Sequence, residues 1–374
     1  MQISNHNISA VVANNRLKKQ EDIVAQSMER LSSGLSINHS KDQPAHMALS
    51  NKLNMHINGM EQAKRNADNT SSMIRTADSV MQNITNMIQR MRELSVQAAS
   101  DSNTEADKAE LQKEVEELKD EINRMSRDTE FNRKGLFDGT LSRRVYSSKG
   151  NADSNGVHQP QLSRMNVSAE VYAGTYEMKV TPADPNANPP TAKVELESGF
   201  SSTASVSVDE NHVTIWDEGG FEMSFMISDS LGPDTDVSLE VTDMGGFQSQ
   251  FGENENGADN IWIPAVNTET LYIDDLDIST SEGASVGIFR LDEALRSISK
   301  IRSELGAYEN RMDTVSESLA AKRENLTSSV SKLTDTDMAA EMTEYTSANI
   351  LVQASSSVLS QCNDQPEMVL QLLQ

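Results

Sequence analysis

Cysteine is all but missing: Cys362 is alone in 374 residues, so no intrachain disulfide can form and no Cys/His cluster exists to hold a metal ion. That economy suits a reducing compartment or a secreted protein built without disulfides. Aromatic residues make up 4% of the chain, too few for one aromatic-rich globular core. Proline is absent between Pro44 and Pro160, which leaves room for uninterrupted helices. No apolar run approaches the about 18 residues of a membrane-spanning helix, so membrane insertion is not expected. Lysine and arginine are missing between Lys193 and Arg290, and residues 151–285 carry 24 acidic side chains against three basic ones. The remainder carries 33 and 29, so the net charge of −25 belongs to the middle. Such a segment repels phosphate groups, which argues against nucleic acid or anionic lipid as a ligand. Catalytic signatures are missing as well. The six histidines are scattered, and there is no metalloprotease helix motif, phosphate loop, dinucleotide fingerprint or nucleophile elbow. An enzyme is not expected, nor a cofactor, catalytic residue or metal site. The acidic run Asp274-Asp275-Asp277 lacks the ligand spacing of a calcium loop and reads as a solvated face. The start, Met1 to Asn7, has neither the basic nor the apolar region of a secretory signal, so export would need another route.

What is present is helical periodicity at both ends. From Met1 to about Ile37, Ile3, Ile8, Val11, Leu17, Ile23, Met28 and Leu31 recur among polar residues, and Gly34 ends the segment. This helix is too polar to bury itself alone and needs a partner surface. Asp42 and Pro44 mark the next start. Within that helix Ile74, Ala77, Met81, Ile84, Ile88, Met91, Leu94 and Ala98 follow nearly the seam of a coiled coil. Thr104 to Asp107 reads as a capping box opening a further helix with Leu111, Val115, Leu118, Ile122 and Met125 on one face, so the two form an antiparallel hairpin. A second long stripe runs from Ile288 through Leu305 and Met312 to Leu333. After Thr334 to Asp337, read as another capping box, a last helix carries Met338, Met342, Tyr345, Val352 and Leu359 and is expected to stop near Pro366.

Residues 141–284 differ in kind. They hold seven of the nine prolines and both tryptophans. Short strand-like runs lie at Ala169–Val180, Ala204–Val208, Val213–Trp216, Phe221–Ile227, Val237–Val241, Ile261–Ile263 and Leu271–Ile278. The expected fold is therefore mainly α, a long antiparallel coiled-coil rod formed by the N- and C-terminal segments, with an inserted β-rich domain. Three domains follow: residues 1–43 with 334–374, residues 44–140 with 285–333, and the acidic insert 141–284.

Particular stretches carry a resemblance. They are Met1 to Asn7, Glu29 to Asn38, Lys41-Asp42, Gln89 to Ala99, Phe131-Asn132, Leu305-Gly306-Ala307 with Asn310-Arg311, and Val358 to Gln361 continuing through Pro366 to Leu373. In these the chain resembles bacterial flagellin over its first 140 and last 89 residues. The resemblance implies an extracellular structural protein of the bacterial flagellum. The subunit would polymerise with itself into a helical filament for swimming, with its termini paired in the filament core and ordering on assembly. It further implies a flagellar export chaperone on the last helix, the type III export apparatus acting without a cleaved signal peptide, and hook-associated and cap proteins as neighbours. Host Toll-like receptor 5 would read the rod at Gln89, Arg90, Leu94 and Glu114. The C-terminal Val369, Leu370, Leu372 and Leu373 would serve assembly and be sensed by cytosolic inflammasome receptors. Two other readings share the helical ends: a hook-associated junction protein, and an adhesin-type filament subunit. The departures from the family pattern are Gln43-Pro44-Ala45-His46, Asp68-Asn69-Thr70, Asp78-Ser79 and Cys362. They leave the strength of receptor signalling and the filament packing open.

Overall fold

The computed structural model describes residues 8–147, 162–168, 171–182, 192–209, 211–217, 220–227, 235–252 and 257–372. In chain order the helices are α1 (Ile8–Ser33), α2 (Pro44–Ala98), α3 (Glu105–Asp128), α4 (Ser281–Thr334) and α5 (Met338–Leu372). Between α3 and α4 lie the strands β1 (Glu130–Phe131), β2 (Lys134–Gly135), β3 (Arg144–Ser147), β4 (Leu162–Val167), β5 (Gly174–Thr181), β6 (Lys193–Ser198), β7 (Ser205–Asp209), β8 (His212–Trp216), β9 (Glu222–Ile227), β10 (Thr235–Thr242), β11 (Phe247–Gln250) and β12 (Ala258–Ile261). The chain divides into two compact units, Met1–Gln62 with Ser318–Gln374, and Ala63–Glu317.

In the second unit the predicted α2 stripe is the core. Ile74, Ala77, Met81, Ile84, Ile88, Met91, Leu94 and Ala98 are all buried, together with Val115 and Ile122 of α3 and Leu291, Ile298, Leu305 and Met312 of α4. The turn after α2 closes as expected: the Thr104 hydroxyl accepts from the Asp107 N–H, and the Asp107 carboxylate accepts from the Thr104 N–H at 3.0 Å. α4 runs antiparallel to α2, and three ion pairs record the register. Arg75 Nε meets Glu309 at 2.6 Å, Arg302 Nε meets Asp78 at 2.8 Å, and Arg92 Nε meets Asp292 at 2.6 Å. The hairpin β1–β2 turns through Asn132 and Arg133, both with positive φ as a tight two-residue turn demands.

The insert is a β-sandwich. One sheet has the order β3-β10-β5-β6 and the other β4-β9-β8-β7, all antiparallel. Alternation sets the inner faces: Val213 and Ile215 of β8, Met223, Phe225 and Ile227 of β9, and Val237, Leu239 and Val241 of β10 share one core. The rings of Tyr176, Phe200 and Phe221 close one edge, with centroids 5.2 to 6.0 Å apart. The sandwich leaves and rejoins the helical part at one neck, where Arg143 Nη1 meets Asp243 at 3.0 Å and the Arg144 N–H donates to the Met244 carbonyl.

Several expectations need correction. Leu271–Ile278 is not a strand. Its apolar residues Leu271, Ile273, Leu276 and Ile278 are buried in the helical core, and α3 side chains serve the backbone of this region in place of a neighbouring strand. Gln112 donates to the Leu276 carbonyl at 3.1 Å and accepts from the Ile278 N–H at 2.8 Å, Lys119 donates to the Asp274 carbonyl, and Asn123 accepts from the Thr268 N–H. Of Ile261–Ile263 only Ile261 is in a strand, and the run Ala169–Val180 begins its strand at Gly174, with 169–170 outside the described residues. Asp42 does not cap α2; its carboxylate accepts from the His39 N–H at 3.0 Å, which holds its pKa below the usual value. Thr334 to Asp337 is not a capping box either. Thr334 ends α4, and Asp337 alone caps α5 by accepting from the N–H groups of Ala339 and Ala340. α5 continues through Pro366 to Leu372, the fixed φ of proline being compatible with a helical backbone.

Two outcomes follow from this core. Ile88→Ala should lower the urea-unfolding free energy of the soluble subunit by about 2–5 kcal/mol, whereas the exposed Gln82→Ala should stay within about 0.5 kcal/mol. Among the carboxylates with depressed pKa values are Asp68, through its hydrogen bond from Lys64, Asp277, through the Ser279 N–H, and Asp292, through Arg92. Their contribution is present above the unfolded value and is lost as pH falls through the folded ones. The urea midpoint should therefore hold above about pH 5 and drop below about pH 4, with a shallower drop in the triple variant Asp68→Asn, Asp277→Asn, Asp292→Asn.

Candidate functional surfaces

Two surfaces follow from the residues upward, the first in Met1–Gln62 with Ser318–Gln374. There α1 and α5 lie antiparallel. Gly34, at φ 74°, ends α1 by donating its N–H to the Arg30 carbonyl at 2.8 Å. The chain then pairs Leu35 with Asp335, the Ser36 N–H donating to Thr334 and the Thr336 N–H to Gly34. From this clasp a heptad seam runs along each helix: Ala10, Ala13, Leu17, Gln20, Val24, Ser27 and Leu31 on α1, and Glu341, Tyr345, Ala348, Val352, Ser355, Leu359 and Cys362 on α5. Met338 and Met342, expected on the α5 stripe, are instead exposed, because the seam falls on Glu341 and Tyr345.

Half of these seam positions are small or polar, so the pair buries little apolar surface. Glu341 is buried, faces Arg30 at 3.7 Å, and its Oε1 has no hydrogen-bond partner among the described residues. Other large apolar side chains sit outside the seam. Ile8 is 73% exposed, Val11 57%, Ile350 60% and Val358 50%. Among the described residues, twelve of the nineteen exposed large apolar ones fall in this unit, which holds under a third of the chain. An apolar surface of this kind on two polar-seamed helices is an association surface.

The second surface is on α2 and α3. Gln89, Arg90 and Glu114 are exposed and adjacent: Arg90 Nε donates to Glu114 at 2.8 Å and Nη1 to Glu93 at 3.2 Å. The hydrogen bond to Glu114 raises the guanidinium pKa further above its ordinary value, so Arg90 stays charged. Leu94, expected on this face, is not there. It is 1% exposed and continues the buried seam beyond Met91, because its place in the 3-and-4 spacing turns it inward. Glu93, which the sequence reading passed over, takes its place beside Arg90; the i,i+3 spacing was the available signal. Val369, Leu370 and Leu372 belong to the last turns of α5, and their side chains, like Leu373 altogether, lie outside the described residues. Among the described residues no His, Cys, Asp and Glu group is arranged to hold a metal ion, and no helix is long and apolar enough to cross a membrane.

Comparison with known proteins accords with these ends. Residues 4–142 match the bacterial flagellin N-terminal helical region and residues 288–373 the bacterial flagellin C-terminal helical region. The chain is 31% identical to flagellin D of Vibrio anguillarum over 99% of its own length and 98% of that protein's. It is similarly 31% identical to a flagellin of Clostridium tyrobutyricum, covering 98% of this chain and 100% of the relative. Flagellin C of Vibrio cholerae is 32% identical over 99% and 98%. Two helical ends built to associate, around an acidic β-rich insert, thus carry the family's sequence along nearly the whole chain, which belongs to the bacterial flagellins.

Proposed function

We propose that the paired ends 1–43 and 334–374 make the subunit contacts of the filament core, that 44–140 with 285–333 form the rod around it, and that 141–284 face outward. As a flagellin the chain is a structural protein that polymerises into the flagellar filament, and not an enzyme. One observation carries the assignment of contacts: large apolar side chains of α1 and α5, among them Ile8, Val11, Ile350 and Val358, lie exposed outside the seam, where other subunits can cover them. An open helical polymer repeats the same contacts at every subunit, so a single amphipathic pair suffices. The relatives' match over their full lengths favours a filament subunit over a hook-associated junction protein.

The finer partners belong to the same proposal. The subunit leaves the cell through the type III export apparatus, a chaperone shields the last helix, and hook-associated and cap proteins bound the filament. Toll-like receptor 5 reads Gln89, Arg90 and Glu114, which form a charged, exposed cluster, while the buried Leu94 only supports it. The C-terminal Val369, Leu370, Leu372 and Leu373 serve assembly and inflammasome sensing.

Purified subunits seeded with filament fragments should grow long filaments under electron microscopy, and a chain lacking 335–374 should stay monomeric. Replacing 144–242 by a short Gly/Ser linker across the Arg143–Asp243 neck should leave growth intact; loss of polymerisation there would give the insert a part in the lattice. Arg90→Ala should weaken a receptor reporter response several-fold at equal dose with unchanged thermal unfolding, and an unaltered dose response would remove Arg90 from the contact.

A further inference from the structure

We infer that the cleft between the outer face of the β7–β8–β9–β4 sheet and α4 is a binding site for a neutral saccharide. The inner face of that sheet is closed by the sandwich core, so His212, Thr214 and Trp216 of β8 point the other way, towards α4. At one end Lys300 of α4 ties the gap shut, bonding Glu222 at 2.6 Å and the Gly220 carbonyl at 3.2 Å. Towards Phe289 the gap widens into a cleft of about 440 Å³, within the roughly 300–1,000 Å³ of small-molecule sites.

Two large aromatic side chains stand open on this cleft from different elements: Trp216 is 46% exposed and Phe289 is 55% exposed. Single exposed aromatics are ordinary, but two lining one cavity offer flat faces to a ring-shaped ligand. A third ring, Tyr272, is held at φ 56°, a left-handed conformation that a bulky residue adopts at a cost, and its centroid lies 3.7 Å from that of His212 with the planes tilted by 40°.

The charges around these rings decide the ligand. The lining carries Asp275 and Glu293 with Arg290 and Arg296, Glu293 bonding Arg296 at 3.0 Å, so its formal charge is balanced. An anionic ligand would meet the two carboxylates and a cationic one the two guanidiniums. A wholly apolar ligand would take these ions out of water without adding a hydrogen bond to any of them. A pyranose satisfies all of them, because its C–H faces lie on aromatic rings while its hydroxyls donate to carboxylates and accept from guanidiniums.

The test uses the full-length chain and a panel of neutral mono- to tetrasaccharides, read by tryptophan emission and by saturation transfer from protein to sugar. At least one panel member should bind saturably. Trp216→Ala and Phe289→Ala should each weaken it by about ten-fold or more, and Trp216→Phe, which keeps a flat ring, should remain within about three-fold. Both side chains are exposed, so thermal unfolding should not move; if either alanine variant fails to fold, the other is read in its place. The inference is overturned if no neutral sugar binds, if binding ignores both alanine substitutions, or if only sialylated sugars bind with a steep salt dependence.

Discussion

The structure depends on one stripe of α2 being buried from every side. Ile74 to Ala98 presents its apolar face to α3, to α4 and to the irregular segment 261–278, and each partner is fixed by it. The heptad-like spacing makes the stripe narrow enough for two helices. The third wall is not helical at all: Ile263, Val266, Leu271, Ile273, Leu276 and Ile278 come from a segment whose backbone is bonded by Gln112, Lys119 and Asn123 of α3. Ion pairs at 75–309, 78–302 and 92–292 then select the antiparallel register without supplying much of the stability, because they are solvent-exposed.

The terminal helices obey the opposite rule. Their seam of Ala, Ser, Gln and Glu with a few large apolar residues cannot bury enough surface, and the larger side chains such as Ile8, Ile350 and Leu351 are left outside. One unit buries most of its large apolar residues within a single chain, and the other leaves many of its own exposed.

Much of this was legible in the sequence, and the reasons for the misses are specific. The α2 seam, the Thr104 capping box and the Gly34 stop rest on local periodicity and capping chemistry, which need no knowledge of the rest of the chain. β8, β9 and β10 were visible because they alternate apolar and polar residues between turns. β4 and β6 were not, because Leu162–Val167 and Lys193–Ser198 mix charged and amide side chains into weakly apolar strands that only the facing sheet stabilises. Leu271–Ile278 misled because alternation reports a two-sided environment, not what bonds the backbone. Leu94 shows the same limit: a residue that spacing assigns to the seam can also match a family motif, and its burial places it in the core.

The clasp formed by Gly34 to Ser36 with Thr334 to Thr336 bears on how the ends become ordered. Segments about 300 residues apart in the chain meet there, so the entropy of closing that loop is spent once for the clasp and the seam together. Each further turn of α1 on α5 then only propagates an existing contact and does not nucleate a new one. The turns of the pair furthest from the clasp, towards Ile8 and beyond Cys362, are therefore the ones it constrains least.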